Sequence, residues 1–285
     1  MAEFDVLQLQ AARFNIMKTD EKTIRDFGEQ WTKYSDAEGF FGSVALLADF
    51  IEPFQATAFR GARVADVGAG TGRFVVALLE LGASQVIAVE PSAAAEVVRE
   101  KTRRFGPDRV SVLNITGDKI PADASLDYAI SVGVLHHIVD PRPVVAAVFE
   151  ALKPGGQFVV WLYGKEGNGL YLSLVLPIRA LSKHLPATGK AVITRLLDIP
   201  LALYVACCKQ WPSAPLPLSR YMTEILGKLE PDKRRLVIYD QLNPHYAKYY
   251  TRSEAEQLLR SSPFEVAVHH RKGYSWVVIG TKPNA

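Results

Sequence analysis

The feature of this sequence that most restricts its fold is a regular alternation between residues 63 and 163. Short apolar runs alternate there with stretches in which apolar residues recur at helical spacing. Strands that alternate with helices of about ten residues are typical of βαβ units, which build a parallel sheet with helices on both faces. The predicted strands are Arg63–Val67, Gln85–Val89, Val110–Leu113, Leu126–Val132 and Gln157–Leu162. The predicted helices between them are Thr71–Leu81, Ala93–Arg104 and Val144–Leu152.

The C-terminal residues predict a different strand pairing. Thr251 and Glu254 have the spacing of a capping box, which predicts a helix over Ala255–Arg260. Two apolar runs follow, Phe264–His269 and Tyr274–Thr281. The turn between them is too short for a parallel crossover, so the two strands must pair antiparallel.

Residues 164–250 interrupt the alternation with a proline-richer stretch that predicts several amphipathic helices. We therefore expect an α/β protein with a doubly wound, mostly parallel seven-stranded sheet, an antiparallel C-terminal hairpin and a helical insertion after strand five. The expected units are an N-terminal helical lid segment (1–50), a core (51–163 and 251–285) and the insertion (164–250). We expect the insertion to cap the substrate.

Composition excludes several classes of protein. Lys and Arg number 33 against 30 Asp and Glu, and a net charge of +3 gives no reason to expect a nucleic-acid partner. The only cysteines, Cys207 and Cys208, are adjacent, which excludes a disulfide framework and a Cys-rich zinc site and suits the cytoplasm. We expect no metal. The start of the chain lacks the pattern of a secretory signal. Leu170–Leu181 and Leu196–Cys208 fall short of a membrane span, so we expect a soluble protein.

The segment Val64–Gly72, VADVGAGTG, carries most of the chemical information. Its glycines let the chain turn tightly after a strand and approach a ligand at the start of the next helix. The spacing is G-x-G-x-G, whereas dinucleotide-binding folds use G-x-G-x-x-G. Arg73 follows the loop, and Asp66 precedes it, where a carboxylate repels a pyrophosphate and attracts an amine. These residues favour a cationic adenosine ligand without phosphate.

Two further acidic residues follow later strands. Glu90 comes 22 residues after Gly68, the usual offset for an acid that binds ribose hydroxyls. Asp118 follows the third strand, where it could accept a hydrogen bond from an adenine amino group. Together with ALKPGGQFVVW and LDYAISVGVLHHIVDP, these segments resemble the class I S-adenosylmethionine-dependent methyltransferases, in the subgroup similar to the ubiquinone and menaquinone methyltransferases. The resemblance covers roughly residues 60–162.

The resemblance implies a Rossmann-like core that binds S-adenosyl-L-methionine and releases S-adenosyl-L-homocysteine. It implies that the methionine part contacts Asp66, Gly68, Ala69, Gly70 and Gly72. It implies that Glu90 and Pro91 meet the ribose, Gly117, Asp118 and Lys119 the adenine, and Ser131 and Val132 the methyl group. Trp31 and Tyr34 in the polar, aromatic N-terminal segment are either a lid over the cofactor or packing residues, and we favour the lid.

Candidates for acid–base chemistry lie after strand four and at the end of the insertion. His136 and His137 directly follow the strand, and His137 could deprotonate an acceptor hydroxyl, although either histidine could be structural. His245 and Tyr249 lie in the aromatic segment NPHYAKYYT, where His245 could act as a second base and aromatic faces could stack on an acceptor. Packing alone is the alternative for this segment.

The insertion bears on the acceptor. Residues 170–252 hold 12 Lys and Arg and 5 Asp and Glu, a net charge of +7 (12 − 5). Three interpretations remain open: a cap over an apolar or aromatic acceptor, a peripheral membrane contact with a lipid-like acceptor, or a homodimer interface. We favour the cap, because an insertion after strand five lies over the edge where an acceptor must enter.

The sequence thus predicts a methyltransferase (EC 2.1.1) that acts on an oxygen, nitrogen or carbon atom of a small molecule. A nicotinamide oxidoreductase is opposed by the glycine spacing and by Asp66. A non-catalytic partner subunit and an enzyme with other chemistry on the same cofactor remain alternatives. RNA methylation is less expected, because VGVLHH stands where a base-flipping N-P-P-[YF] motif would follow strand four.

Overall fold

A computed structural model of the protein describes residues 2–35, 39–182 and 185–284, with side chains from residue 17 onward except those of residues 18 and 187. Its central sheet has seven strands. They are β1 (Arg63–Val67), β2 (Gln85–Val89), β3 (Val110–Leu113), β4 (Leu126–Val132), β5 (Leu152–Tyr163), β6 (Glu265–Arg271) and β7 (Ser275–Thr281).

The strand order across the sheet is β3-β2-β1-β4-β5-β7-β6. The first five strands pair in parallel, and β7 pairs antiparallel with both β5 and β6. The predicted α/β fold, its parallel core and its antiparallel hairpin are confirmed. Strand β5 begins five residues before the predicted Gln157, because Leu152 already pairs with Leu126 ahead of an irregularity in the ladder.

Ten α-helices lie in the described ranges. They are α1 (Ala2–Lys33), α2 (Val44–Ile51), α3 (Arg73–Glu80), α4 (Ala94–Thr102), α5 (Arg142–Ala151), α6 (Gly169–Ser182), α7 (Ala187–Gln210), α8 (Ser219–Glu224), α9 (Pro231–Leu242) and α10 (Arg252–Leu259). The predicted capping box is present, since the Thr251 side chain accepts a hydrogen bond from the backbone of Glu254 and the Glu254 side chain accepts one from that of Thr251.

Two hydrophobic layers cover the faces of the sheet. On one face, α5 and α10 pack over residues such as Phe158 and Leu162, and on the other α2 and α3 pack over Val64 and Val159. A third cluster joins the N-terminal segment to the insertion, for example through Phe41 and Met222. The N-terminal segment and the insertion therefore share one apolar cluster.

The N-terminal helix α1 is much longer than the polar, aromatic segment of the sequence suggested. Its Gly28 lies so close to the start of α4 that a Cβ there would be 2.9 Å from Cβ of Ser92. Next to it, Gln30 donates to Asp240 and accepts from Asn243, both in or beside α9. These contacts fix α1 between the glycine-loop region and the insertion.

The insertion leaves and rejoins the sheet at one place. Gly164 and Tyr250 form an isolated parallel bridge, and the N–H of Tyr250 donates to the carbonyl of Tyr163 at the end of β5. Helices α6 to α9 are thus anchored at the carboxyl edge of the parallel strands. The division of the chain into three units stays a prediction.

One helix differs from the expectation about membranes. In the described part of the chain, Thr188–Gln210 of α7 is long and apolar enough to cross a bilayer, by length and composition alone. The prediction that the apolar runs are too short was wrong here, because the helix continues beyond Leu196–Cys208 on its N-terminal side.

Candidate functional site

The glycine loop between β1 and α3 has the backbone that its sequence requires. Gly68, Gly70 and Gly72 have positive φ angles of 86°, 54° and 75°, a region that favours glycine. A Cβ at Gly68 would lie 2.4 Å from a methyl group of Val134, so this position has no room for a side chain. The chain can therefore turn directly from β1 into the N-terminus of α3.

Glu90 fastens this loop to the loop after β2. One carboxylate oxygen accepts a hydrogen bond from the N–H of Gly70 at 2.8 Å. The other accepts from the N–H of Ser92 at 3.0 Å and from its hydroxyl. The Glu90 side chain therefore holds the two loops in register, and only the oxygen bonded to Gly70 keeps a lone pair for a further donor.

Asp66, in β1, is 2% exposed, and its Oδ2 has no hydrogen-bond partner among the residues that the structure describes. Burial raises the pKa of Asp66 to about 7, a rise that the Arg73 guanidinium opposes and the Glu90 carboxylate reinforces. Leaving a buried carboxylate oxygen without a partner is energetically costly.

A cavity of about 1000 Å³ runs from the glycine loop into the helical insertion. At one end it is lined by predicted cofactor residues. These are Gly68, Ala69, Gly70, Glu90, Pro91, Gly117, Asp118, Val132 and Trp31. At the other end the lining comes mainly from apolar side chains of α6 to α9. The volume equals the upper end of the range for pockets that hold small ligands, about 300–1,000 Å³.

Other predicted cofactor residues, Asp66 among them, do not line this cavity. The hydroxyl of Ser131 is fully buried and donates to the carbonyl of Val67, so it links β4 to β1. Gly72 begins α3 and packs against Val98, and Lys119 is exposed. The Tyr34 ring packs against Tyr239 at 5.8 Å between centroids, in the apolar cluster of the insertion.

Trp31 differs from Tyr34, because it faces the loop. Its Nε1 lies 3.5 Å from where a Cβ of Gly70 would be, and its ring stacks on Phe27. Both Trp31 and Phe27 line the cavity. This placement agrees with the lid hypothesis for Trp31, whereas Tyr34 serves packing.

The two adjacent histidines have different surroundings. His137 lines the cavity, and its Nδ1 lies 2.9 Å from the carbonyl oxygen of Tyr246. That contact assigns the proton to Nδ1 and leaves the lone pair on Nε2. Burial lowers the pKa of His137 to about 3, with a smaller lowering from the Arg179 charge and an opposing contribution from the Tyr246 carbonyl. A neutral imidazole with so low a pKa is a weak base.

His136 is fully buried and is absent from the cavity lining. Its ring stacks on Tyr163 with 3.7 Å between centroids, and neither ring nitrogen has a hydrogen-bond partner in the described part of the chain. Burial, His137 and Arg179 hold the pKa of His136 well below its usual value. The structure therefore gives His136 a packing position and not a catalytic one.

The aromatic segment at the end of the insertion divides in the same way. His245 is exposed and does not line the cavity. Tyr249 lines it and stacks on Tyr163 at 5.2 Å between centroids. Only Tyr249 is therefore placed to touch an acceptor.

A polar cluster around Gln241, in α9, was not predicted from the sequence. Gln241 donates to the Tyr163 hydroxyl at 2.7 Å, and its side-chain oxygen accepts from the Tyr171 hydroxyl at 2.9 Å. Arg179 donates to the Gln241 backbone carbonyl at 2.7 Å. Gln241 and both tyrosines line the cavity, so the apolar end carries one group of polar side chains.

Two charged groups of the cavity were also missed. The sequence analysis used Arg73 only to exclude a dinucleotide, but its guanidinium lines the cavity over the rings of Phe41 and Phe74. Burial lowers the pKa of Arg73 to about 10, against the carboxylates of Asp240 and Asp66. Asp240 also lines the cavity, and burial raises its pKa against the lowering effects of its bond from Gln30 and the charges of Arg73 and Arg179. An arginine at the first position of the helix after a glycine loop was the available signal for Arg73.

The fold and the loop together define a Rossmann-like protein with a preformed pocket at the carboxyl edge of its parallel strands. Residues 65–158 match a family model described as a methyltransferase domain. Residues 65–158 therefore form a methyltransferase domain, and the resemblance of the sequence to the class I S-adenosylmethionine-dependent methyltransferases is confirmed.

Three curated relatives show the range of this similarity. An uncharacterized methyltransferase of Mycobacteroides abscessus is 32% identical over 149 residues, 48% of this chain and 57% of the relative. A demethylmenaquinone methyltransferase of Clavibacter sepedonicus is 31% identical over 125 residues, 41% and 50% of the two chains. A tRNA U34 carboxymethyltransferase of Pseudoalteromonas atlantica is 29% identical over 106 residues, 37% and 33% of the two chains.

Among solved structures, the S-adenosylmethionine-dependent methyltransferase SibL in its apo form has a TM-score of 0.50 and 18% identity. The match covers 84% of this chain and 56% of that one, and it supports the fold. The chain spans between a third and about 57% of the lengths of the three relatives. Because one relative is named for a tRNA, the expectation that nucleic acid is excluded as a partner has no support from these similarities.

S-adenosylmethionine is the cofactor of this family, and two observations show that the chain fits it. The unpartnered buried oxygen of Asp66 suits a cationic amino group, and the Gly68 and Gly70 backbone lines the cavity, which suits a ligand that needs close backbone approach. Among the described residues, no group of His, Cys, Asp and Glu could hold a metal ion.

Proposed function

We propose that this protein transfers a methyl group from S-adenosylmethionine to an apolar acceptor that occupies the helical end of the cavity. The observation that carries the proposal is the continuity of one cavity from the glycine loop to the apolar side chains of the insertion. A site for methyl transfer needs the donor and the acceptor in one space from which water is excluded.

For the cofactor, we propose a binding set that combines the loop with three carboxylates. Asp66 would hold the amino group, Glu90 the ribose and Asp118 the adenine, with the backbone of Gly68 and Gly70 beneath the methionine part. When bound, the cofactor supplies an electrophilic methyl group. Phe27 and Trp31 of α1 would cover this end and exclude water, since both line the cavity.

For the acceptor, the lining suggests a mainly apolar body with a polar end. Leucine, isoleucine and methionine side chains of the insertion would surround the body. The hydroxyls of Tyr163 and Tyr171, already bonded to Gln241, would position a polar group next to them.

For the acceptor proton, we propose Asp240 in place of the histidine predicted from the sequence. Both Asp240 and His137 line the cavity. Burial raises the pKa of Asp240, which makes its carboxylate a stronger base, while burial lowers the pKa of His137 to about 3. His137 would then orient the acceptor by accepting a hydrogen bond at Nε2.

Two alternatives concern the acceptor and the chemistry. The relative named for tRNA would favour a nucleic-acid acceptor and a transferred group other than methyl. The relative named for demethylmenaquinone would favour an apolar ring compound. The apolar lining of the insertion agrees with the second.

The test begins with calorimetric titration of S-adenosylhomocysteine into the wild-type protein and into Gly68→Ala. The added methyl group would collide with Val134, so we expect binding to be lost, whereas Gly169→Ala, with no atom within 4 Å of the new Cβ, should bind normally. Transfer of radiolabelled methyl from the cofactor is then measured with apolar phenols, quinols and bulk tRNA as acceptors. Labelling of tRNA alone, or tight cofactor binding without any transfer, would contradict the proposal.

A further inference from the structure

An apolar stripe runs along the outer side of α7. Val192, Leu196, Ile199 and Leu203 are 57–65% exposed and follow each other at intervals of four, three and four residues. That spacing places all four side chains on one face of the helix. Helix α6 repeats the feature with its own exposed leucines, at 170, 174 and 181. Exposed apolar residues concentrated on two consecutive helices, both of which contact α9, mark an interaction surface.

The opposite side of α7 is fixed to the protein by charge. Asp198 is 7% exposed and accepts hydrogen bonds from Arg234 at 2.6 Å and from Arg235 at 3.1 Å, both in α9. Val205 and Cys208 on the same helix are buried in the apolar cluster. A helix that crossed a bilayer would have to take this ionic group into lipid, which is expensive. Helix α7 is therefore better suited to lie along a membrane surface than to cross the bilayer, although its length and composition would allow it to cross.

The cavity reaches the same surface. Leu174 of α6 is 61% exposed and also lines the cavity. The cavity is also lined by three residues of α7 that lie between members of the exposed stripe in the sequence, Leu197, Pro200 and Leu201. The acceptor end of the cavity is thus bounded by the two helices that carry the exposed leucines.

The charge of this region indicates the kind of surface that it meets. Residues 170–250 of the insertion carry a net charge of +6 (11 − 5), and Arg195 is exposed beside the stripe. Trp211, 59% exposed, directly follows α7. An exposed arginine beside an apolar helix face, within a basic segment and with an aromatic residue at the end of the helix, suits an anionic bilayer interface. Two copies of the insertion would instead bring like charges together.

We infer that α6 and α7 seat the protein on an anionic lipid bilayer, so that an acceptor dissolved in the membrane enters the cavity past Leu174. The inference rests on the proposed function for its account of the acceptor, and it adds the acceptor's class, a lipid-soluble molecule with a long apolar part. The membrane contact itself depends only on the two helices.

Flotation with vesicles tests the contact. We expect the full-length protein to float with vesicles that contain phosphatidylglycerol and phosphatidylcholine, and much less with phosphatidylcholine alone. Added salt should weaken the binding, because the ionic contribution is screened. Alkaline carbonate should release the protein, and resistance to carbonate would overturn the inference in favour of a spanning helix.

Variants of the stripe give the matched comparison. Leu196→Gln combined with Leu203→Gln should lower vesicle binding about tenfold or more, since both side chains would leave the lipid. Arg195→Gln should lower it about fivefold, whereas Arg252→Gln, an exposed arginine on α10, should leave it unchanged. Equal effects of the two arginine variants would overturn the inference.

Sedimentation and calorimetry separate the remaining outcomes. A dimer that the double leucine variant dissociates, with no flotation of the wild type, would show that a second copy covers the stripe. The double leucine variant and Arg195→Gln should each bind S-adenosylhomocysteine as the wild type does. Absence of flotation by the wild type, with normal cofactor binding and turnover, would overturn the membrane inference alone. Absence of cofactor binding by the wild type would overturn the proposed function.

Discussion

The pKa of Asp66 makes cofactor binding dependent on pH in a defined direction. Burial raises the pKa of Asp66 to about 7, partly offset by Arg73 and reinforced by Glu90. Below pH 7 the free protein therefore carries a proton on Asp66, while a cationic amino group requires the ionised carboxylate. Binding must expel that proton, so affinity falls as the pH falls through about 7.

The size of the effect follows from that pKa. With a pKa of about 7, roughly 0.9 of a proton leaves on binding at pH 6 and roughly 0.1 at pH 8. The affinity for S-adenosylhomocysteine should rise about 100-fold between pH 5 and pH 8. A carboxylate with the ordinary pKa of 3.8 would give less than a tenth of that change.

Titration calorimetry in buffers of different ionisation enthalpy measures the protons released. Asp123→Asn, which removes an exposed carboxylate, should behave as the wild type, whereas Asp66→Asn should bind weakly and release no proton from this site. If the wild type shows less than a threefold change in affinity over this pH range, Asp66 does not receive the amino group in the way that its burial indicates.

Three further predictions concern the lid, the proton acceptor and the insertion. Gly28→Ala should weaken the binding of S-adenosylhomocysteine several-fold, because its Cβ would push α1 away from Ser92, and calorimetry would contradict this if affinity were unchanged. Asp240→Asn should lower kcat about 100-fold or more and remove the acidic limb of the pH–rate profile, because it removes the proposed base. His137→Gln should lower kcat less and keep that limb. The opposite result for the two variants would identify His137 as the base. Asp198→Ala should lower the free energy of unfolding by about 2 kcal/mol, because it leaves two arginines without their carboxylate. Chemical denaturation measures this free energy. A change below about 0.5 kcal/mol would show that the buried ion pair contributes little to stability.

The cofactor end of the site could be predicted well because its residues lie at the ends of successive strands. The loop at Gly68–Gly70, Glu90 and Asp118 each follow one of the first three strands, and a parallel sheet brings such positions to one edge. The spacing of these residues in the sequence was therefore sufficient to predict that they meet in the folded protein. Ser131 misled this reasoning, because its position at a strand end does not tell that its hydroxyl points toward β1.

The acceptor end could not be predicted in the same way. Asp240 and Gln241 reach the cavity from α9, and Arg73 reaches it from α3, elements that are far apart in the chain. His136 stacks on Tyr163, whereas His137 lines the cavity. This difference depends on tertiary packing, which the positions of two adjacent residues in the sequence do not reveal.

By itself, the sequence determined the order of strands and helices, the parallel core and the nature of the cofactor, because periodicity, glycine conformation and strand-end carboxylates are local properties. The tertiary structure decided which side chains are buried, which keep their protons and which face the acceptor. Those properties depend on the desolvation and the charges that distant segments bring together. Recognising the apolar stripe of α7 required both kinds of information. The sequence gives the spacing of its residues, but only the tertiary structure shows that their side chains are exposed.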